Sequence, residues 1–318
     1  MIDPVTIAEQ LLFSTVQMKI QYGRYASGSG TGFFFIHTTG DHQRLPLLIT
    51  NNHVVKGSTS GTLCLHEAEL IDEVPKPSDQ FFPVVFGNFS EYWIPHPDQK
   101  IDLCAMPIQP LLDGLQHFGR AVYYNYIDQS FILSDSDLQG LSAVEDILMI
   151  GYPIGFSDEV NNLPIFRRGI TASHPAINFK GRSEGVIDAA CFPGSSGSPV
   201  MLVNEGFYKT KTETRVGNRA ALLGVLYGGP QWSAEGFIVQ EIPTRISRNI
   251  SHTRVMINLG YYIKAKEILT LGEHVTMTLR SRDEKLWTTK FNPPAPLPTG
   301  TDRTVPSSMS YIKVNPTG

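Results

Sequence analysis

Cysteine is scarce in this sequence: Cys64, Cys104 and Cys191 are the only three in 318 residues. So few, and an odd number, do not outline a disulfide framework, and without a C-x-x-C pair a zinc site is not expected. Other absences exclude further classes. There is no block of lysine and arginine and the net charge is only −4, which argues against nucleic acid or an anionic membrane as a main partner. No uncharged apolar run approaches the ~18 residues that span a bilayer. The opening stretch, MIDPVTIAEQLLFSTVQMKI, carries Asp3 and Glu9 and has no basic start followed by an apolar core and a small-residue cleavage site. A secretory signal is therefore not expected, and a reducing, cytoplasmic location is the simplest expectation.

What is present is an ordinary globular composition. A hydrophobic fraction of 41% with 18% charge argues against global disorder. The chain exceeds the ~100–200 residues of a usual domain, so two core-bearing units or one large β protein are expected. After an amphipathic helical stretch over residues 3–14 come many short apolar runs cut by Gly, Pro, Asn and Asp. FFFIHTT, LPLLITNN, FFPVVFGNF, IDLCAMPI, VEDILMIGYPIGF, RRGITASHPAI, EGVIDAA, SPVMLV, AALLGVLYGG, GFIVQEI and RVMINLGYYI all have strand length and composition. Repeated short strands with turn signals indicate a sandwich or barrels. A polar segment at 127–145 separates two groups of strands. Residues 262–271 have helical spacing and are expected to close the folded unit. From 292 onward the chain is rich in Pro, Thr and Ser, which suits an extended tail.

The stretch CFPGSSGSPV, residues 191–200, holds two glycines, two prolines and three serines. Glycine frees the backbone, proline fixes it and serine supplies hydroxyls. A serine hydroxyl is a weak nucleophile that needs a general base and donors for the oxyanion it creates. Ser196 has glycines on both sides, at Gly194 and Gly197, so the N–H groups of Gly194 and Ser196 can point to one spot. Alone, such a turn is more often a plain surface loop. It is accompanied by His53 in LLITNNHVV and Asp102 in KIDLCAMPI, giving the order His, Asp, Ser. That trio fits nucleophilic catalysis in which Ser196 attacks, His53 moves the proton and Asp102 orients the imidazole.

The segments GSGTGFFFI, ITNNHVV, IDLCAMPI, IGYPIGF, IDAACFPGSSGSPV and LLGVLYGG, in this order, resemble a trypsin-fold serine protease over roughly residues 10–270. The similarity is closest to HtrA/Deg-type protease domains and the glutamyl endopeptidases. It implies an all-β fold of two antiparallel six-stranded barrels with a C-terminal helix. The expected division is 1–130 for the barrel with His53 and Asp102, 131–275 for the barrel with Ser196 and the closing helix, and 276–318 for an extension. It also implies His53, Asp102 and Ser196 as the triad, Gly194 and Ser196 as oxyanion donors, and Ala190, Leu226, Tyr227, Gly228 and Gly260 around the specificity pocket. No acid stands at Ala190, so cleavage after uncharged residues is expected, with no metal or organic cofactor. The substrate would be a polypeptide, and a cytoplasmic protease is expected to need a partner protein that activates or targets it.

Three departures from the family pattern matter. No PDZ-like domain is expected after the protease region. Ser195 replaces the aspartate that pairs with a newly cut N-terminus in digestive members, so activation by that route is not expected. Ser198 replaces a glycine, as in the glutamyl endopeptidases. Two alternatives stand beside this reading: a protease-like interaction module without catalysis, and an α/β-hydrolase esterase. The esterase requires G-x-S-x-G and a histidine last in the chain; position 198 is serine. His37, His42, His66, His96, His117 and His174 are expected in loops or at the surface, the Arg167-Arg168 pair at a solvated strand start, and Cys191 as a small buried residue.

Overall fold

The computed structural model describes residues 1–211, 213–242 and 245–281. The Pro-rich tail from 292 lies outside the described residues. The chain starts with helix α1 (Ile7–Leu11), shorter than the stretch 3–14 expected from its sequence. A capping box sets its start: Thr6 accepts from the Glu9 N–H, and the Glu9 carboxylate accepts from the Thr6 N–H. Nine strands follow: β1 (Thr15–Tyr22), β2 (Ala26–Thr38), β3 (Arg44–Thr50), β4 (Ser60–Ile71), β5 (Val74–Gly87), β6 (Ile94–Pro95), β7 (Cys104–Pro107), β8 (Val122–Tyr123) and β9 (Ile127–Asp128). Helix α2 (Asn52–Val55) follows β3, and α3 (Gln109–His117) follows β7. The strands form one sheet in the order β5-β4-β1-β2-β3-β7-β6, with β8 on β4 and β9 parallel to β2.

After α4 (Asp135–Gly140) come β10 (Asp146–Gly151), β11 (Ile165–Thr171), β12 (Glu184–Asp188), β13 (Pro199–Asn204), β14 (Phe207–Lys209), β15 (Thr214–Val216), β16 (Arg219–Gly228), β17 (Gln231–Ile242), β18 (Arg245–Met256) and β19 (Leu259–Lys264). Six of them close an antiparallel barrel in the order β10-β11-β12-β19-β16-β13. The pairs β14–β15 and β17–β18 are separate two-stranded sheets. The fold is therefore the all-β, trypsin-like one, as a closed six-stranded barrel and a second sheet with a C-terminal helix, α5 (Lys266–Ser281). This helix starts later and runs further than the segment 262–271. Residues 262–264 belong to β19, where Tyr262 pairs with Gly185 inside the barrel.

The core has three parts. One fills the first sheet and one the barrel; the third joins them. In the joining core, Phe33, Leu47 and Ile94 of the first sheet meet Met201, Val225 and Ile263 of the barrel. Leu11 of α1 and Ile268, Leu271 and Val275 of α5 complete it. Burying such a continuous apolar surface fixes how the two units sit against each other. Side chains at the cleft therefore have fixed relative positions.

Candidate active site

His53 lies in α2, directly after β3 delivers the chain to the cleft. Thr50, the last residue of β3, is buried and donates its hydroxyl to the Thr31 carbonyl at 2.8 Å. Asp102 precedes β7, which pairs with β3, so both side chains come from neighbouring strand ends. The Asp102 carboxylate accepts twice from His53. Oδ1 takes the backbone N–H at 2.9 Å, and Oδ2 lies 2.5 Å from ring Nδ1. Asn51 Nδ2 donates to the Asp102 carbonyl at 2.9 Å and holds the acid from behind. With Nδ1–H given to Asp102, Nε2 is left as the basic nitrogen. The pair is partly open to solvent, with the His53 side chain 49% exposed and that of Asp102 29%.

Ser196 sits in the turn between β12 and β13. The Ser195 N–H donates to Phe192 O at 3.0 Å, closing a turn whose third residue is Gly194 at φ +88°. A side chain at Gly194 would stand 2.6 Å from the Tyr152 carbonyl oxygen, and one at Gly197 (φ +89°) would stand 1.9 Å from the Thr31 carbonyl oxygen. Both positions require glycine, for the backbone angle and for the close approach. Gly197 N–H donates to Leu226 O and Leu226 N–H to Ser198 O, tying the turn to β16. Among the described residues, neither the Gly194 N–H nor the Ser196 N–H donates to another group of the chain. The Ser196 hydroxyl donates to the Tyr227 carbonyl at 3.3 Å rather than to His53. Catalytic hydrogen bonds of this kind often form only once substrate is bound.

Ala190 is half-buried just before the turn, and Leu226 is in the barrel core with Cys191. The Tyr227 ring stacks on Tyr261 with centroids 6.1 Å apart. Burial, followed by a hydrogen bond toward Glu184, raises the Tyr227 phenol pKa above its ordinary value. A side chain added at Gly228 would meet open space, whereas one at Gly260 would strike Cys191 Sγ at 2.5 Å. Gly260 thus faces the core beside the pocket segments. Cys191 is buried, and burial pushes its thiol up to about 11, partly offset by Arg167. It is a packing residue. Arg167 is half-buried, not solvated, with its guanidinium 5.0 Å from the Phe192 ring centre at the edge of the turn. Arg168, by contrast, is exposed and pairs with Asp146 at 3.1 Å.

The expectation that the remaining histidines lie in loops or at the surface is corrected at three of them. His37, His66 and His96 are buried, because each packs its ring and also finds a polar neighbour: His37 Gln129, His66 the Asn162 carbonyl, and His96 Glu267. His42 and His117 are exposed. Among the described residues no group of three or more His, Cys, Asp or Glu could hold a metal ion. The sequence reading also overlooked Thr31 and Ile154, which touch the nucleophile turn through a hydroxyl and a backbone N–H. Thr31 was legible only as part of GSGTGFFFI.

A closed barrel and a packed sheet with a serine turn between them define a trypsin-like peptidase. The chain belongs to the trypsin-like peptidase domain family, whose sequence model matches residues 30–207. It is a serine protease, and the family implies polypeptide substrates. No curated protein matches the chain in sequence. Among solved structures, an inactive serine-to-alanine mutant of Rv3671c from M. tuberculosis H37Rv is similar at 14% identity and TM-score 0.42, covering 87% of this chain and 98% of that one. The active form of the Rv3671c protease is 17% identical with TM-score 0.38, covering 94% and 89%. Deg5 is 15% identical with TM-score 0.38, covering 70% and 82%. Among the described residues no helix is long and apolar enough to cross a membrane.

Proposed function

We propose that the protein is an endopeptidase that cleaves through Ser196, His53 and Asp102 by way of an acyl-enzyme. The observation that carries this is the double contact of the Asp102 carboxylate with His53, which leaves Nε2 as the ring nitrogen that can act as base. Ser196 Oγ bonds to the substrate carbonyl carbon as its proton passes to His53 Nε2, and Asp102 stabilises the resulting imidazolium. The carbonyl oxygen becomes an oxyanion that accepts from the N–H groups of Gly194 and Ser196. His53 then returns the proton to the leaving amine, and the C–N bond breaks. Water repeats the sequence on the acyl ester. In this reading residues 1–130 supply base and acid, residues 131–275 the nucleophile, and 276–318 an extension. Location in the cytoplasm and a partner that activates or targets the enzyme belong to the same reading.

Labelling with a fluorophosphonate tests the chemistry. Wild type is expected to label at Ser196, Ser196→Ala to lose labelling and peptide cleavage, and Ser195→Ala to retain much of both. The second reading is a silent interaction module, in which the Ser196 hydroxyl stays on the Tyr227 carbonyl. A folded wild type that takes no probe would establish that module instead. The same reading assigns the pocket to Ala190, Leu226, Tyr227, Gly228 and Gly260 and predicts cleavage after uncharged residues. A lysine or glutamate without a partner in the pocket would cost several kcal/mol. Each added methylene of an apolar side chain would contribute only ~1–3 kcal/mol, so the preference should be graded. A peptide library varied at that position measures it, and dominant cleavage after Lys, Arg or Glu would sink the assignment.

A further inference from the structure

Two peptide groups meet at the Cα of Gly194, and each has its carbonyl held. The Pro193 carbonyl accepts from the Ile154 N–H at 2.5 Å, and the Gly194 carbonyl accepts from Thr31 Oγ1 at 3.0 Å. In a planar trans peptide the C=O and the following N–H point in opposite directions. Holding the Pro193 oxygen against Ile154 therefore turns the Gly194 N–H away from Ile154. Holding the Gly194 oxygen on Thr31 fixes the next peptide, whose Ser195 N–H closes the turn on Phe192 O at 3.0 Å.

We propose that Thr31, with the Ile154 N–H, is a positioning residue that keeps the Gly194 N–H aimed at the oxyanion; this rests on the endopeptidase reading above. Thr31 is wholly buried. Its Oγ1 accepts from the Tyr152 N–H at 3.1 Å, so its single proton is left for Gly194 O. Its own N–H donates to the Ser196 carbonyl at 2.9 Å. One residue of β2 thus holds the nucleophile turn on both sides of Ser195 and is tied to the segment that carries Ile154. Ile154 has φ 54° and ψ 24° and is 69% exposed. A β-branched residue in this left-handed region is an outlier that persists only where its surroundings over-determine it. Its N–H is what reaches Pro193. Ser195 is uncharged, so no ion pair at that position can anchor the loop. Hydrogen bonds from outside the turn do so.

The test compares Thr31→Val, which removes the hydroxyl at nearly constant shape, with Thr31→Ser, which keeps it. Thr31→Val is expected to lower kcat by about 10–100-fold, somewhat less than deletion of an oxyanion donor, with KM within about threefold. Its pH profile should stay that of wild type, because His53 is untouched. A peptide aldehyde, which forms an oxyanion on the serine, should bind Thr31→Val more weakly by the same factor, while the matching peptide alcohol binds both proteins alike. Thr31→Ser should recover most of the loss. A folded Thr31→Val with kcat within about twofold of wild type, or equal losses for aldehyde and alcohol, would overturn the proposal. If Thr31→Val does not fold, an ester in place of the 153–154 peptide bond removes the Ile154 N–H without altering any side chain. It should show the same split between aldehyde and alcohol, and full kcat in that protein would overturn the proposal. A wild type that neither labels nor cleaves instead removes the endopeptidase reading, and the positioning role with it.

Discussion

Ile154 carries a local cost that a single substitution can measure. The left-handed backbone region costs an L-residue with a Cβ roughly 1–2 kcal/mol. The side chain is largely exposed and so recovers little of that by burial. Ile154→Gly should relieve the strain and keep the N–H that reaches Pro193. Against this, glycine loses about 0.5–1 kcal/mol more conformational entropy on folding. A net stabilisation of up to about 1 kcal/mol is expected, read as a raised urea midpoint. A lowered midpoint would show that the isoleucine side chain contributes more packing than its exposure implies. At this scale the candidate residues are legible through the segments that hold them: His53, Asp102 and Ser196 stand out by their order and by the family resemblance of ITNNHVV, IDLCAMPI and IDAACFPGSSGSPV. Thr31 and Ile154 did not stand out, since a backbone N–H belongs to almost every residue type and a buried threonine is common in strands.

Helix α5 shows how an element is held by one missing side chain. Gly272 is buried on its inner face, and a Cβ there would stand 2.3 Å from Nδ1 of His37 in β2. His96 and Glu267, 3.6 Å apart, and Arg280 and Asp41, 2.8 Å apart, join the helix to the same sheet. Gly272→Val would gain slightly in helix propensity but must push the His37 ring or the helix outward. Overpacking of this kind costs about 1–3 kcal/mol, so the variant should unfold at lower urea than wild type. An unchanged midpoint would mean that α5 can shift on the sheet without loss. The same scale explains which elements were legible. Contiguous apolar runs such as LPLLIT and AALLGVLYG announced β3 and β16. Strand β1 did not announce itself, because Val16, Met18 and Ile20 alternate with Gln17, Lys19 and Gln21 and only every second residue enters the first core. Strand β4 is similar, with Leu63 and Leu65 inward. Alternation is the signature of a sheet with one buried face, and a search for runs passes over it. The helix spacing of 262–271 begins ahead of α5 because YYIK supports helix spacing and strand alternation equally well. Tyr262 and Lys264 are buried residues of β19, and helix begins only after Ala265.

For the molecule as a whole, the joint between the two units contains a titratable group that makes stability depend on pH. His66 of β4 is only 6% exposed, lies edge-on to Phe13 and donates Nε2–H to the Asn162 carbonyl at 3.1 Å. Asn162 belongs to the loop between β10 and β11 and returns a hydrogen bond from its side chain to the Cys64 carbonyl at 3.1 Å. Burial is the main cause that lowers the His66 pKa to about 4, and the bond to Asn162 opposes it in part. An unfolded histidine takes up its proton near ~6.5. Above that pH both states are neutral at this residue and His66 has no effect on the pH dependence. Between about 6.5 and 4 the unfolded chain binds the proton and the folded chain does not, so stability falls as pH falls; below about 4 the effect levels off. The full shift corresponds to roughly 3 kcal/mol. His37 acts in the same direction, since burial lowers its pKa too, with Glu273 opposing. Urea unfolding near pH 7 and at about pH 4.5 should therefore show wild type losing roughly 2–3 kcal/mol more than His66→Gln over that interval. The carboxylates protonate in both proteins, so their contribution cancels in the comparison. Equal losses in the two proteins would mean that His66 is protonated while folded, and that the contact between β4 and the Asn162 loop opens to water in acid.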